Sequence, residues 1–299
     1  MRFTMFLAAA FCAATMLSST GEVSAASPKK ESAVVKHPWA GKKVAFLGDS
    51  ITDKGVLKDD THYWAYLDQW LDITPLVYGI SGHKWEHIPG QVQKLRNDHG
   101  DDFDAIMIFV GTNDYNAALP IGEWFTEEVV TVNADGVMVQ RVRRTPVMDH
   151  STFRGSINVV LDGLKRMFPD KQIVMMTPIH RGAASFGEDN VQPTEDHQNG
   201  CGEYLDAYID SIKEASALWS VPVIDLYSLS GIYPMHEEQA IYVPGGTDWL
   251  HPNEKGHRRM AQCIYHQLLA CGFQQVKLRQ NNVQDFFSVD YLGTLLVGS

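Results

Sequence analysis

Five short apolar runs, at 44–47, 76–80, 105–110, 173–176 and 221–226, punctuate the first three quarters of the chain with no polar residue at every second position. A strand with one solvated face would alternate, so these runs predict strands covered on both faces, as in a parallel sheet. Between them, apolar residues recur with helical spacing at 63–71, 88–96, 153–168, 204–218 and 254–269. Strand and helix thus alternate, which predicts a central parallel sheet of about five strands with helices on both faces, an α/β chain of three layers. In such folds ligands bind outside the carboxyl ends of the strands. The segments just after each run are therefore where functional side chains are expected.

One segment breaks the rhythm. Residues 127–147 alternate apolar and polar positions around Asn133-Ala134-Asp135-Gly136, and Asp-Gly is a strong signal for a two-residue turn. An inserted β-hairpin within 121–150 is expected. The first 26 residues combine Arg2, an apolar run from Met5 to Leu17 and the small residues Val23-Ser24-Ala25, the pattern of an export signal cleaved near Ala26. The run is shorter than the roughly 20 residues of a spanning helix, and Phe11 before Cys12 argues against lipidation. Residues 27–40 are polar and predict a linker, 41–273 the folded domain, and 274–299 a tail with no helical period, although Phe286, Phe287, Tyr291 and Leu292 suggest packing. The expected location is periplasmic or extracellular.

Charge narrows the partners. Lys plus Arg number 25 and Asp plus Glu 36, a net charge of -11 that disfavours nucleic acid and anionic membrane surfaces. Beyond the signal, Cys201, Cys263 and Cys271 are an odd set, so at most one disulfide is available. Eight residues of helical rise would hold Cys263 and Cys271 about 12 Å apart, and buried free thiols are the expectation.

Chemistry concentrates after the strands. Gly48-Asp49-Ser50-Ile51-Thr52 follows the first run and offers Ser50 as a nucleophile, although a serine in such a turn is as readily a capping residue. A serine hydroxyl needs a base, and the base needs an orienting partner. Asp248-Trp249-Leu250-His251 supplies both before the last helix. Acyl transfer also needs oxyanion donors. Gly79-Ile80-Ser81-Gly82 and Gly111-Thr112-Asn113-Asp114 follow the second and third runs, and each is otherwise a tight turn.

Together these blocks resemble the SGNH or GDSL hydrolases, in order, from about Lys43 to Ala270. The resemblance implies a flavodoxin-like α/β/α fold, with Ser50 as nucleophile, Asp248 and His251 completing a triad, and Ser50, Gly82 and Asn113 forming an oxyanion hole. Tyr78 stands where the second block usually carries an asparagine or a small residue before its first glycine, so the choice of Gly82 rests on the Ser81-Gly82 pair. Asp49, Trp85, His180 and Trp249 are candidate substrate contacts, and Tyr115 and Trp124 are aromatic residues expected at the same end. His83 and His87 lack the cysteine or carboxylate cluster that a metal site needs, so neither metal nor cofactor is expected. The activity implied is ester hydrolysis on a small-molecule or oligosaccharide substrate; a short acyl group, acetyl above all, on a carbohydrate is the expectation from the envelope location, the aromatic residues near the site and the lack of an apolar lid helix, a choice the resemblance permits without requiring it. The alternatives are an acyltransferase, lipase or thioesterase with the same triad, and a non-catalytic carbohydrate-binding protein on this fold.

Overall fold

The computed structural model describes residues 36–57 and 61–271. The expected export signal, most of the linker and the tail lie outside the described residues. Five parallel strands form one sheet: β1 (Lys43–Gly48), β2 (Thr74–Val77), β3 (Ala105–Phe109), β6 (Gln172–Met176) and β9 (Val223–Ile224), in the order β2-β1-β3-β6-β9. The near-complete burial of β1, β3 and β6 has the predicted cause, while the edge strands β2 and β9 are less covered. Ala45, Leu47, Ile106, Ile108 and Met175 point to one face, where they meet α2 (Ile88–His99), α4 (Phe153–Met167) and α5 (Leu205–Trp219) through Val92, Ile157, Leu161 and Ile209. Val44, Phe46, Met107, Val174 and Met176 point to the other, against α1 (Tyr63–Leu71) and α7 (Glu254–Leu268) through Leu67, Met260 and Ile264. Successive side chains leave a strand on opposite faces, so one apolar run supplies both cores.

The chain leaves β1 for β2 at one side and returns for β3 at the other, which opens a crevice at the carboxyl ends of β1 and β3. The short helices α3 (Thr112–Asn116) and α6 (Leu226–Leu229) follow β3 and β9 there. The second run ends as a strand at Val77, three residues earlier than expected, and the fifth keeps only two strand residues before Asp225 caps α6 by accepting from Ser228 N.

The hairpin is present as β4 (Phe125–Ala134) and β5 (Val137–Pro146). Asp135 and Gly136 both have positive φ, 53° and 85°, as the turn type favoured by twisted hairpins demands. Both its faces are largely in solvent, with Val129, Val142 and Met138 exposed and Glu127 and Glu128 paired with Arg144 and Arg143. A small antiparallel pair, β7 (Ala184–Ser185) with β8 (Val191–Gln192), stands near the crevice and reaches Asp248 through a bridge from Ala184.

The cysteine expectation needs correction. All three are free, but Cys201 is exposed and the other two are only half-buried, because α7 ends before Cys271 and Cys201 lies in a surface turn.

Two glycines test how packing overrides helix propensity. Alanine is worth up to about 1 kcal/mol over glycine inside a helix. At Gly163 of α4 an alanine methyl would have no atom within 4 Å, whereas at Gly256 of α7 it would lie 2.2 Å from the Tyr242 carbonyl. Gly163→Ala should raise the urea midpoint, and Gly256→Ala should lower it by an amount equivalent to roughly 1–3 kcal/mol.

Candidate active site

Gly48 must be glycine, since a Cβ there would fall 2.2 Å from Thr52 Oγ1 and 2.9 Å from the Phe109 carbonyl. Thr52 fills the space left by both Gly48 and Gly79, and its hydroxyl meets Tyr63 Oη at 3.0 Å. The turn after β1 is thereby wedged against the loop after β2. Asp49 folds this turn by accepting from Ile51 N at 3.0 Å, which leaves Ser50 half-exposed at the crevice.

At the other end of the chain, Asp248 Oδ1 accepts the backbone N–H groups of Leu250 and His251, each at 3.0 Å. This loop geometry aims Oδ2 at His251 Nδ1, 2.9 Å away. A carboxylate can only accept, so the proton sits on Nδ1 and Nε2 is left as an acceptor. Ser50 Oγ lies 2.8 Å from Nε2 and donates to it. Burial alone would push the Asp248 carboxyl up, but the bonds from the His251 ring and amide outweigh it and hold it below the usual range. The chain Ser50–His251–Asp248 can therefore pass the serine proton to the imidazole and stabilise the cation that results.

The donors expected from the sequence are left available. Gly82 has φ +80° between Ser81 and His83, with His83 N bonded to the Ile80 carbonyl, a turn whose third position favours glycine. Among the described residues, neither the Ser50 nor the Gly82 amide is taken by another acceptor. Asn113, at the start of α3, donates one amide hydrogen to the His83 carbonyl at 3.0 Å and keeps the other.

Two of the candidate substrate contacts are corrected. Trp85 is 0% exposed and belongs to the core beneath α2, and Asp49 is 1% exposed with Oδ2 unpartnered. Burial, opposed by the Ile51 amide and by His251, pushes the Asp49 carboxyl up to about 7. Tyr115 and Trp124 are buried too, Tyr115 bonding to the His197 carbonyl and Trp124 to Glu214. Trp249 stays half-exposed, with its indole N–H held by the Gly246 carbonyl. His180 is half-buried, donating through Nδ1 to Glu195 at 2.5 Å with its ring against Tyr227. His83 and His87 stack at 4.5 Å, and no metal-holding cluster of three ligands occurs among the described residues.

Several organising residues are not apparent from the sequence. Asp53 takes Ser81 N at 3.0 Å and Ser81 Oγ at 2.9 Å, tying the loop of Gly82 to that of Ser50. Gln91 grips Gly48 through both its amide atoms and donates to His83 Nδ1 at 2.9 Å. Its signal is a polar residue on the apolar face of α2, three positions after buried Ile88. Behind the site, His257 is buried with Nδ1 accepting from Tyr63 N, and His62 packs beside it.

A parallel three-layer sheet carrying this relay at its carboxyl edge defines an ester-hydrolysing enzyme. The chain belongs to the GDSL-like Lipase/Acylhydrolase family, whose model matches residues 46–259. A protein from Lactobacillus plantarum is similar in structure, with 27% identity and a TM-score of 0.62 over 77% of this chain and 98% of its own. A possible lipase from Chitinophaga pinensis has 19% identity and a TM-score of 0.55, over 77% of this chain and 100% of its own. Axe2, an acetylxylan esterase from Geobacillus stearothermophilus, has 17% identity and a TM-score of 0.48, over 78% and 96%. No curated protein matches the chain.

Burial, with His62 and His251 nearby, pulls His257 down to about 3, and burial lowers His62 as well. Both rings are folded in the neutral form. Their stabilisation is complete above the unfolded value near 6.5 and is lost as pH falls below it, for His257 down toward 3. The melting temperature should drop steadily below pH 6.5, His257 contributing at most about 1.4 kcal/mol per pH unit. His257→Leu should flatten that slope in thermal scans from pH 7 to 4.

Proposed function

We propose that the chain hydrolyses a short-chain ester, acetyl above all, carried on a carbohydrate, through an acyl-enzyme on Ser50. The carrying observation is the hydrogen-bonded Ser50–His251–Asp248 chain at 2.8 and 2.9 Å. His251 Nε2 takes the proton of Ser50 as Oγ attacks the ester carbonyl, and Asp248 keeps the imidazolium oriented and stabilised. The carbonyl oxygen, now negative, meets the amides of Ser50 and Gly82 and the free amide hydrogen of Asn113. His251 then gives its proton to the departing alcohol oxygen, and water attacks the acyl-enzyme under the same base.

The choice of a sugar rather than an alkyl chain draws on the surroundings of the donors. A cavity of about 370 Å³ beside the oxyanion loop is lined by Tyr78, Ile80, His83, Glu86, His87 and Lys94. Its mix of aromatic, imidazole and charged groups suits a hydroxyl-bearing ring, and Trp249 offers a second aromatic surface beside the triad. The expected export signal would place the enzyme among envelope polysaccharides, and mass spectrometry of the native protein should find an N-terminus near Ala26.

Ser50→Ala and His251→Ala should each lower turnover of p-nitrophenyl acetate by several orders of magnitude without loss of the fold. Asn113→Ala should lose roughly 10²–10³ in kcat, and a change in KM alone would remove it from the oxyanion hole. Substrate class is read from kcat/KM for acetyl, butyryl and octanoyl esters of one alcohol, with acetate release from acetylated oligosaccharides measured in parallel. A long acyl tunnel would gain up to about 0.8 kcal/mol per added methylene. A rise toward octanoyl with no acetate freed from any sugar would overturn the carbohydrate reading.

A further inference from the structure

Arg181 follows β6 and is 1% exposed, among the largest fully buried side chains of the protein. A buried cation is normally matched by a carboxylate, yet among the described residues the guanidinium bonds only to neutral acceptors. Nη1 donates to Asn116 Oδ1 and to Thr112 Oγ1 at 3.4 Å, and Nη2 donates to Gln192 Oε1 at 3.0 Å and to the Pro193 carbonyl at 3.4 Å. Nε has no partner, and the guanidinium lies 5.8 Å from the centre of the Tyr115 ring. Glu195, the nearby acid, is occupied by the backbone N–H of Arg181 and by His180.

The acceptors come from two places that matter to catalysis. Thr112 and Asn116 flank Asn113 on α3, while Gln192 and Pro193 belong to the β8 segment, and Asn116 also donates to Gln192 at 2.8 Å. From Arg181 the chain runs directly into a ladder with the acid–base loop. Gly182 N donates to the Trp249 carbonyl at 2.8 Å, Trp249 N to the Ala183 carbonyl at 3.0 Å, and Ser185 N to the Thr247 carbonyl at 2.7 Å. Asp248 sits inside this ladder, bridged to Ala184.

We propose that Arg181 is a positioning residue that braces the acid–base loop of Asp248 and His251 against the oxyanion helix of Asn113, and that its unmatched charge acts on the triad. It touches neither substrate nor the reacting atoms. A fork of donors that spans α3 and β8 fixes their separation in a way that a single-point contact cannot. Retaining an unpaired buried cation costs stability, and an apolar residue of similar length would fill the space without that cost. The cost is offset only through what the charge does to its surroundings, and Asp248 is among the groups it interacts with, along with Tyr115 and Glu195. The charged and titratable groups around His251 are Asp248, Asp49 and His257, with the Phe186 ring on its open side. A cation that interacts with Asp248 works against a further positive charge arising in the same neighbourhood.

The inference rests on Ser50 and His251 being the reacting pair, so Ser50→Ala is assayed alongside. Arg181→Met, Arg181→Lys and Asn116→Ala are prepared in the full chain, checked by near-UV circular dichroism, and followed with p-nitrophenyl acetate across pH 5–9. Arg181→Met should lose roughly 10²-fold in kcat, the scale of a small misplacement of catalytic groups, with KM little changed. Its acid limb should move to higher pH. Arg181→Lys should keep the acid limb in place while recovering only part of kcat. Asn116→Ala, which leaves the charge but removes one anchor, should lower kcat about tenfold with no movement of the limb, and it carries the test if Arg181→Met does not fold. Full kcat in both Arg181→Met and Asn116→Ala, or an acid limb that Arg181→Met leaves unmoved, overturns the proposal. Turnover surviving in Ser50→Ala would instead overturn the reading of the reacting pair.

Discussion

The hydrogen bond between Ser50 and His251 joins residues 201 positions apart at 2.8 Å, and most of the architecture serves to make it. A misplacement of about 1 Å between such groups can cost roughly 10²-fold in rate. Loops free in solution could not hold that tolerance. Here each partner is anchored to a rigid strand or helix within a few residues: Ser50 to β1 through the Asp49 turn, and His251 to α7 through Asn253, which caps the helix by accepting from Gly256 N and holds the Ile241 and Val243 carbonyls through its amide. The parallel sheet fixes the distance between those anchors because its strands are close-packed on both faces.

Elements whose signal is local burial were legible in the sequence. The limits of α1 and the start of α7 match the apolar period, and the Asp135-Gly136 turn fell where its dihedral demands put it. Ser50, Gly82, Asn113, Asp248 and His251 were legible as blocks in order, three of the four after strands, and the structure joins Ser50, His251 and Asp248 by hydrogen bonds and ties Asn113 to the loop of Gly82 through the His83 carbonyl. Boundaries were less legible where tertiary contacts set them. Val221 and Leu226 are as apolar as strand residues, yet Asp225 caps α6 and ends β9 after two residues. Trp85 misled because an aromatic residue in a loop after a strand reads the same whether it faces the crevice or the core. Its position against α2 is a fact of packing.

The organising residues that left no mark in the sequence share a property. Asp53, Gln91 and Arg181 act through polar contacts across long stretches of chain, and such contacts leave no period. Gln91 is partly an exception, since a polar residue on an apolar helical face already asks for buried partners. Arg181, five residues past the end of β6, reads in the sequence as an ordinary loop charge.

Buried titratable groups surround the relay on several sides, and their states are mutually constrained. Asp49 and Asp114 are both pushed toward the neutral form by burial, His257 and His62 likewise, while half-buried Asp248 is pulled toward its charged form by the ring and amide of His251. The difference lies in hydrogen bonds received: Asp248 accepts three, from Leu250 N, His251 N and His251 Nδ1, whereas Asp49 accepts one at Oδ1 and none at Oδ2. Desolvation penalises every carboxylate in the region, and at Asp248 the donated hydrogen bonds together with the adjoining imidazole outweigh it. The site thus places negative charge where it orients the base and lessens it at the carboxyl adjoining the nucleophile. A low-dielectric surround makes both halves of that arrangement count for more than they would in water.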